Sequence, residues 1–108
     1  MPNVTELMAE LPGRFDPEMA PGLNAVIQFE LSPEDEGGPY IVTIRDNSCV
    51  IEPGLHQSPS MTLKMTARDY VDLATGKISH QLAFMTGRLR VNGDLSLATR
   101  LRDLLGLG

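Results

Sequence analysis

Residues 66–105 read TARDYVDLATGKISHQLAFMTGRLRVNGDLSLATRLRDLL, and this stretch decides the fold. Thr66 is placed to cap a short helix, because Asp69 lies at the position that completes a capping box. Gly76 supplies the stop of that helix. Residues 78–86 then show a second apolar helical pattern, with Ile78, Leu82 and Met85 on one stripe that is expected to face inward. This order of pieces predicts small helices that cover a sheet.

The same stretch continues with a strand over 88–91, whose Leu89 and Val91 point inward, and with a last helix capped by Asp94. The apolar positions of that helix are Leu97, Leu101, Leu104 and Leu105. The stretch carries more large apolar side chains than so small a domain needs for its own core. This surplus predicts the binding of apolar molecules.

The first half of the chain supplies the rest of the sheet. Leu23 to Leu31 alternates apolar and polar residues, which predicts a strand with one buried and one largely exposed face. The other predicted elements are strands at 40–45, 48–52 and 61–65, a tight turn at Asp46-Asn47, and a helix over 3–11 that Asn3 can cap and that Pro12-Gly13 stops. The fold class is therefore α+β, with one sheet of five strands and helices packed on one side.

Length and composition bound the function classes. The 108 residues fit a single domain over 1–108, and the contents of 42% apolar and 21% charged residues are those of an ordinary soluble protein. No apolar run approaches the ~20 residues of a membrane span. A single cysteine and a start without basic and apolar segments predict a cytoplasmic protein.

The net charge of −5 disfavours a nucleic-acid partner, but the charge is unevenly spread. Residues 1–54 carry ten acids and two bases, giving −8, whereas residues 55–108 carry four acids and seven bases, giving +3. Two explanations stay open: solubility alone, or a weakly basic face near a ligand opening. Arg88 and Arg90, on the strand face opposite Leu89, either meet solvent or contact an anionic headgroup or a partner protein.

Catalytic machinery is not evident in the sequence. His56 lies in a loop and His80 at the start of a short helix, each without the partner that acid–base catalysis requires. Cys49 lies in an apolar strand, where a thiol behaves as a small buried hydrophobe. The two histidines are 24 residues apart, with no Cys or carboxylate at ligand spacing, which argues against a metal site. We expect no enzymatic activity, no metal and no cofactor.

Several pieces of the chain together resemble the sterol carrier protein-2 family. These pieces are Thr66 to Gly76, Ala83 to Leu89, Val91 to Asp94, Leu97-Ala98 with Leu101, and Leu23 to Leu31 preceded by Phe15-Asp16-Pro17. The resemblance implies a five-stranded, mainly antiparallel sheet with helices on one face, enclosing an apolar tunnel. It also implies non-enzymatic binding or transfer of a lipid such as a fatty acid, an acyl-CoA, a sterol or a phospholipid.

We expect the lipid between sheet and helices, where apolar side chains of both would line its site. The predicted lining residues are Ile27, Phe29, Met61, Leu63, Met65, Leu73, Leu82, Phe84, Met85, Leu97, Leu101 and Leu104. Phe84 and Met85 point about 100° apart on a helix, so one is expected to pack on the sheet and the other to line the space. An empty cavity of ~300 Å³ would cost on the order of 7 kcal/mol, so an unfilled one should partly collapse.

Two rival interpretations stay open. In the first, the same apolar face closes a homodimer or serves an enzyme partner in a lipid or quinone pathway. In the second, the chain is a small hydrolase or transferase, although no nucleophile–base pair supports this. The lipid-binding interpretation also allows a transient contact with a membrane surface.

Overall fold

The structure, a computed structural model, describes residues 2–107. The strands are β1 (Ala25–Ser32), β2 (Gly38–Arg45), β3 (Ser48–Pro53), β4 (Met61–Thr66) and β5 (Arg90–Gly93). The helices are α1 (Val4–Arg14), α2 (Ala67–Ala74), α3 (His80–Met85), α4 (Leu95–Ala98) and α5 (Leu101–Leu105), with a 3₁₀ turn at Pro17–Met19. Within these residues the strands form one sheet in the order β3-β2-β1-β4-β5. Only β1 and β4 pair in parallel, so the predicted α+β fold with a mainly antiparallel sheet is confirmed.

One face of the sheet carries the core. Ile27 and Phe29 of β1 align with Met61 and Leu63 of β4, and all four side chains are at most 1% exposed. Tyr70 of α2 meets Phe29 edge to face, with the ring centroids 5.8 Å apart. Helix α1 and the leucines of α5 complete the same cluster. The burial of these apolar side chains is the main source of stability for the fold.

The local sequence signals are present as predicted. Asn3, Thr66 and Asp94 each cap a helix, since a side-chain oxygen of each accepts a hydrogen bond from a backbone N–H in the first turn. Asp46 and Asn47 make the tight turn between β2 and β3, with φ angles of 52° and 58°. These features depend only on neighbouring residues, so the sequence alone is sufficient to predict them.

Helix α1 continues past the predicted stop at Pro12 and ends at Arg14. Pro12 removes one N–H from the last turn, but the N–H of Phe15 still bonds to the carbonyl of Leu11 at 3.0 Å. The guanidinium of Arg14 donates to the carbonyl oxygen of Ala74, at the end of α2, at 2.8 Å. This contact between two helix ends favours the extra turn over the local effect of proline.

The outward face of β1 is less exposed than the alternation predicts. Gln28 is 2% exposed, because the connection from β3 to β4 crosses it. Its amide nitrogen donates to the carbonyl oxygen of Gly54 at 2.9 Å, and its Oε1 accepts from the N–H of His56 at 2.8 Å. The prediction of a water-facing position is therefore wrong at Gln28, since strand periodicity does not say which loop covers a face.

The helices of the second half are shorter than predicted. Helix α3 begins at His80 after a cap by Ser79, and the strand predicted for 88–91 is shifted to 90–93. The predicted last helix is divided into α4 and α5. Arg100 separates the two, because its φ and ψ of −100° and 2° lie outside the helical region.

Candidate functional site

Nine of the twelve predicted lining residues lie in the core. They are Ile27, Phe29, Met61, Leu63, Met65, Leu73, Leu97, Leu101 and Leu104, each at most 7% exposed. The other three lie on α3 and face solvent: Leu82 is 51% exposed, Phe84 54% and Met85 81%. The structure therefore brings nine of the predicted residues together between sheet and helices, and places the other three at the protein surface.

Helix α3 presents a different side to the protein from the one predicted. Among its six described residues only Ala83 is buried. The carbonyl oxygen of Ala83 accepts hydrogen bonds from the N–H groups of Arg88 at 2.9 Å and Leu89 at 3.0 Å. The chain thus folds back over the small residue, and the predicted inner stripe is wrong at Leu82 and Met85. Met85 in particular does not pack on the sheet.

An apolar cleft of about 220 Å³ opens between α3, β5 and α4. It is lined by His80, Gln81, Phe84, Leu89, Val91, Leu95, Ala98, Thr99 and Leu101. Two of the predicted site residues, Phe84 and Leu101, reach it. Leu89 and Leu101 are 3% and 0% exposed, so the cleft connects the surface with the hydrophobic core.

Several cleft residues were not among the predicted lining residues. Val91 carries a signal for this position, since it alternates with Arg88 and Arg90 along the strand. Leu95 and Ala98 are three residues apart on α4 and therefore share one helix face. The spacing of these apolar residues in the sequence therefore indicates which side chains share a face. It does not indicate that α3 lies opposite them, because that depends on the tertiary packing.

Two buried polar atoms have no hydrogen-bond partner within residues 2–107. They are the hydroxyl of Tyr70, in the core beside Phe29, and Nδ1 of His80, at the cleft. Burial raises the pKa of Tyr70, so this hydroxyl stays neutral. An unpaired buried polar group is costly, and each of these atoms would be stabilised by a polar group of a guest or by water.

A wider and more polar groove, of about 730 Å³, lies on the other side of the segment that joins α3 to β5. Met65 is the predicted site residue that reaches it. The guanidinium of Arg88 lies in this groove and contacts the carboxylates of Asp69 and Asp72 of α2, at 2.8 and 2.9 Å. The hydrogen bond to Asp69 and the contact with Asp72 raise the pKa of Arg88. The main contacts of Arg88 are therefore these two carboxylates of α2, and not solvent alone or the headgroup of a guest.

The other candidates for chemistry lie apart from the cleft. Burial raises the pKa of the Cys49 thiol from 9.0 to about 11, which disfavours the nucleophilic thiolate. Within residues 2–107 no cluster of three or more His, Cys, Asp or Glu side chains has the arrangement of a metal site. In the same residues no helix has the length and apolar character needed to span a membrane.

Known proteins share this fold and sequence pattern. A family model described as the SCP-2 sterol transfer family matches residues 8–106. Hydroxysteroid dehydrogenase-like protein 2 of Rattus norvegicus is 33% identical over 92 residues, which cover 82% of this chain and 17% of that protein. The chain thus spans only about a sixth of the length of that relative.

Two solved structures show the same architecture at low identity. The structure of palmitated SCP2L2 from Aedes aegypti has a TM-score of 0.79 and 20% identity, covering 94% of this chain and 93% of that one. UbiJ-SCP2, a ubiquinone synthesis protein, has a TM-score of 0.62 and 13% identity, covering 88% and 81%. These likenesses concern the fold, whereas the family model covers almost the whole sequence. This chain therefore belongs to the SCP-2 sterol transfer family.

Proposed function

We propose that this chain binds a hydrophobic or amphipathic lipid and carries out no reaction on it. The observation that supports this is the apolar cleft, whose lining passes from the exposed Phe84 and Leu95 to the fully buried Leu101. Fatty acids, acyl-CoA, sterols and phospholipids are the guest classes that fit an apolar site of this kind. We also propose that the protein acts in the cytoplasm, which fractionation of the source cells would test.

The free volume of the cleft is too small for strong binding of a long acyl chain. At roughly 30 Å³ per methylene, about 220 Å³ holds about seven methylenes. At ~0.8 kcal/mol each, these contribute about 6 kcal/mol before entropic losses, which corresponds to a dissociation constant near 0.1 mM. Micromolar binding therefore requires that the guest reach further than the cleft does in this state.

We infer that the guest extends the cleft inward by displacing α3. This helix has six residues and is too short to be stable alone, and its one buried side chain is that of Ala83. Moving it outward therefore exposes little apolar area, while it opens a way past Leu89 and Leu101. The nine buried residues predicted from the sequence would then line a tunnel between sheet and helices, and the guest would fill it.

Native mass spectrometry of freshly purified protein and titration with a fluorescent C16 fatty acid test this proposal. Ala98 is half-buried on the cleft wall, whereas Ala9 is exposed on α1. Ala98→Phe fills the cleft and is expected to weaken binding of the probe at least about tenfold. Ala9→Phe adds the same bulk and should bind like the parent protein. Equal affinities of the two folded variants, with no lipid retained by the parent, would contradict the proposal.

The second candidate function is a module for dimerisation or for an enzyme partner in a lipid or quinone pathway. The likeness to UbiJ-SCP2 and the exposed apolar side chains of α3 favour it. A stable dimer that protects α3 from hydrogen exchange, together with the absence of any retained lipid, would support this candidate. A retained lipid at about one per chain would support the carrier instead.

A further inference from the structure

Tyr70 carries a polar atom that the folded chain leaves without a partner. The side chain is 0% exposed, and its hydroxyl forms no hydrogen bond with any group of residues 2–107. Phenylalanine would fill nearly the same space without burying an unpaired hydroxyl. Because such a hydroxyl is destabilising, a tyrosine at this position points to a partner that comes from outside the chain.

The ionisable groups near this hydroxyl are engaged elsewhere. Burial is the main cause of the raised pKa of Tyr70, while the charge of Arg14 opposes the rise and Glu10 and Tyr40 add to it. Glu10 is exposed, and the guanidinium of Arg14 donates to the carbonyl oxygen of Ala74 at 2.8 Å. A carboxylate buried beside Tyr70 would need a free cation, so these surroundings favour a neutral oxygen instead.

A row of core side chains connects the cleft with Tyr70. Val91 of β5 lines the cleft and pairs with Leu63 of β4, which in turn pairs with Phe29 of β1. Phe29 meets the ring of Tyr70 edge to face. Neighbouring strands lie about 4.8 Å apart, so the row covers roughly 10 Å from Val91 to Phe29, the length of about eight methylenes. A guest that enters at the cleft and follows this row therefore brings its inserted end to Tyr70.

We propose that this chain binds a lipid with a neutral oxygen, a hydroxyl or a carbonyl, at its inserted end, and that the Tyr70 hydroxyl hydrogen bonds to that oxygen. The proposal rests on the proposed function, because the guest passes the displaced α3 to reach the row. Its headgroup stays at the mouth of the cleft, where the other unpaired polar atom, Nδ1 of His80, lies. An oxygen at the inserted end satisfies the hydroxyl of Tyr70, whereas a plain acyl chain leaves it unpaired.

Water is the competing partner of this hydroxyl. A buried water makes about three hydrogen bonds and needs as many polar groups around it. Tyr70 lies in the apolar core cluster against the ring of Phe29, and the other unpaired buried side-chain atom among residues 2–107 is that of His80, at the cleft. A water at Tyr70 would therefore find few side-chain partners. This favours an oxygen that an apolar guest carries into the core.

Displacement of a fluorescent C16 fatty acid by competing acids tests the proposal. The competitors are ω-hydroxy fatty acids of about 10 to 16 carbons, the unsubstituted acids of the same lengths, and 2-hydroxyhexadecanoic acid. The parent protein should bind at least one ω-hydroxy acid about fivefold more tightly than its unsubstituted counterpart, because the inserted hydroxyl pairs with Tyr70. A hydroxyl beside the carboxyl group should bring no such gain.

Tyr70→Phe removes the hydroxyl and should reverse this preference, so that the unsubstituted acid binds about tenfold more tightly. The delipidated variant should have the Tm of the parent or a higher one, because the hydroxyl has no partner to lose. Tyr40→Phe is the matched control. It deletes the same atom from a partly buried tyrosine that pairs with Phe29 from the neighbouring strand, and it should keep the preference of the parent.

Three results would overturn the role of Tyr70. The first is a parent protein that binds the acids with and without an ω-hydroxyl equally at every length. The second is an equal change of preference in Tyr70→Phe and Tyr40→Phe, or none in either. The third is a lower Tm of delipidated Tyr70→Phe, which would mean that the hydroxyl already has a partner without a guest. A parent protein that binds no acid at all would contradict the proposed function itself, and this proposal with it.

Discussion

At the scale of single residues, position 93 requires glycine because two backbones approach each other closely there. Its φ is +102°, and a Cβ at this position would lie 2.5 Å from the carbonyl oxygen of Ser60 and 3.1 Å from Cα of Met61. Gly93 also pairs with Met61 in the ladder between β4 and β5, so the two backbones are not free to separate. Gly87, at φ +78°, offers a contrast because a Cβ there would have no neighbour within 4 Å.

We therefore expect Gly93→Ala and Gly87→Ala to differ strongly in their effects. Gly87→Ala carries only the conformational cost of a positive φ, about 1 kcal/mol in the free energy of unfolding. Gly93→Ala adds a clash with fixed backbone and should lose at least about 3 kcal/mol. Urea denaturation of the two variants measures both values. Equal losses would mean that the β5 edge moves away without cost.

The thiol of Cys49 gives a prediction about pH. Burial raises its pKa from 9.0 to about 11, so near pH 8 the thiolate fraction is about 100-fold smaller than for an unburied thiol. Alkylation by iodoacetamide should be slower by a similar factor in the folded protein than in denaturing urea. Because the folded pKa is the higher one, stability is fully present below pH 9 and decreases as the pH rises toward 11. Cys49→Ser should remove that part of the decrease, and equal alkylation rates in both states would contradict the prediction.

At the scale of elements, α3 is held mainly by the chain that follows it. The guanidinium of Arg88 spans the carboxylates of Asp69 and Asp72, which lie one turn apart on α2. The N–H groups of Arg88 and Leu89 bond to the carbonyl oxygen of Ala83. Together these contacts fix one end of α3 to α2, while the exposed side of the helix has no comparable anchor. We propose that this asymmetry lets α3 act as the movable wall of the cleft.

Replacing Arg88 should loosen this end of α3 without unfolding the domain. Arg88→Met keeps the aliphatic stem but removes the donors to Asp69 and Asp72, which leaves two carboxylates close together. We expect a lower Tm and faster hydrogen exchange at the N–H of Leu89, because that bond depends on the position of the segment. Arg90→Met is the matched control, since Arg90 is exposed and forms no ion pair within residues 2–107. Unchanged exchange at Leu89 in Arg88→Met would show that the ion pairs do not hold α3.

Most elements could be predicted from the sequence because their signals are local. The caps at Asn3 and Thr66 and the strand alternation depend on spacing alone. The facing of α3 could not be predicted, because both its apolar stripe and Ala83 fit a helical period, and the hydrogen bonds from the returning chain decide between them. The burial of Gln28 was missed for the same reason, as it depends on a loop that follows β3.

At the scale of the whole molecule, apolar periodicity predicts burial but not what the side chain is buried against. Leu73 and Leu104 are 1% and 0% exposed in the core, and they contact protein atoms in this state. The same residues would line a tunnel if a guest separated helices from sheet. The sequence pattern is the same in both cases, since an apolar wall and an apolar core require the same residue types. Phe84 shows the difference, because it lines a real cleft although it is half exposed.

A guest that opens this core must stabilise the fold by mass action, because the unfolded chain has no site for it. At a free ligand concentration of 100 times Kd, the gain is about 2.7 kcal/mol. For a domain of this size that gain raises Tm by roughly 10–20 °C. Palmitate titrated into delipidated protein should therefore shift the calorimetric transition by this amount. Ala98→Phe, with the cleft filled, should show a smaller shift than Ala9→Phe at the same concentration. If palmitate binds but Tm stays constant, it occupies a site that persists in the unfolded chain, and the cleft is then not where the lipid lies.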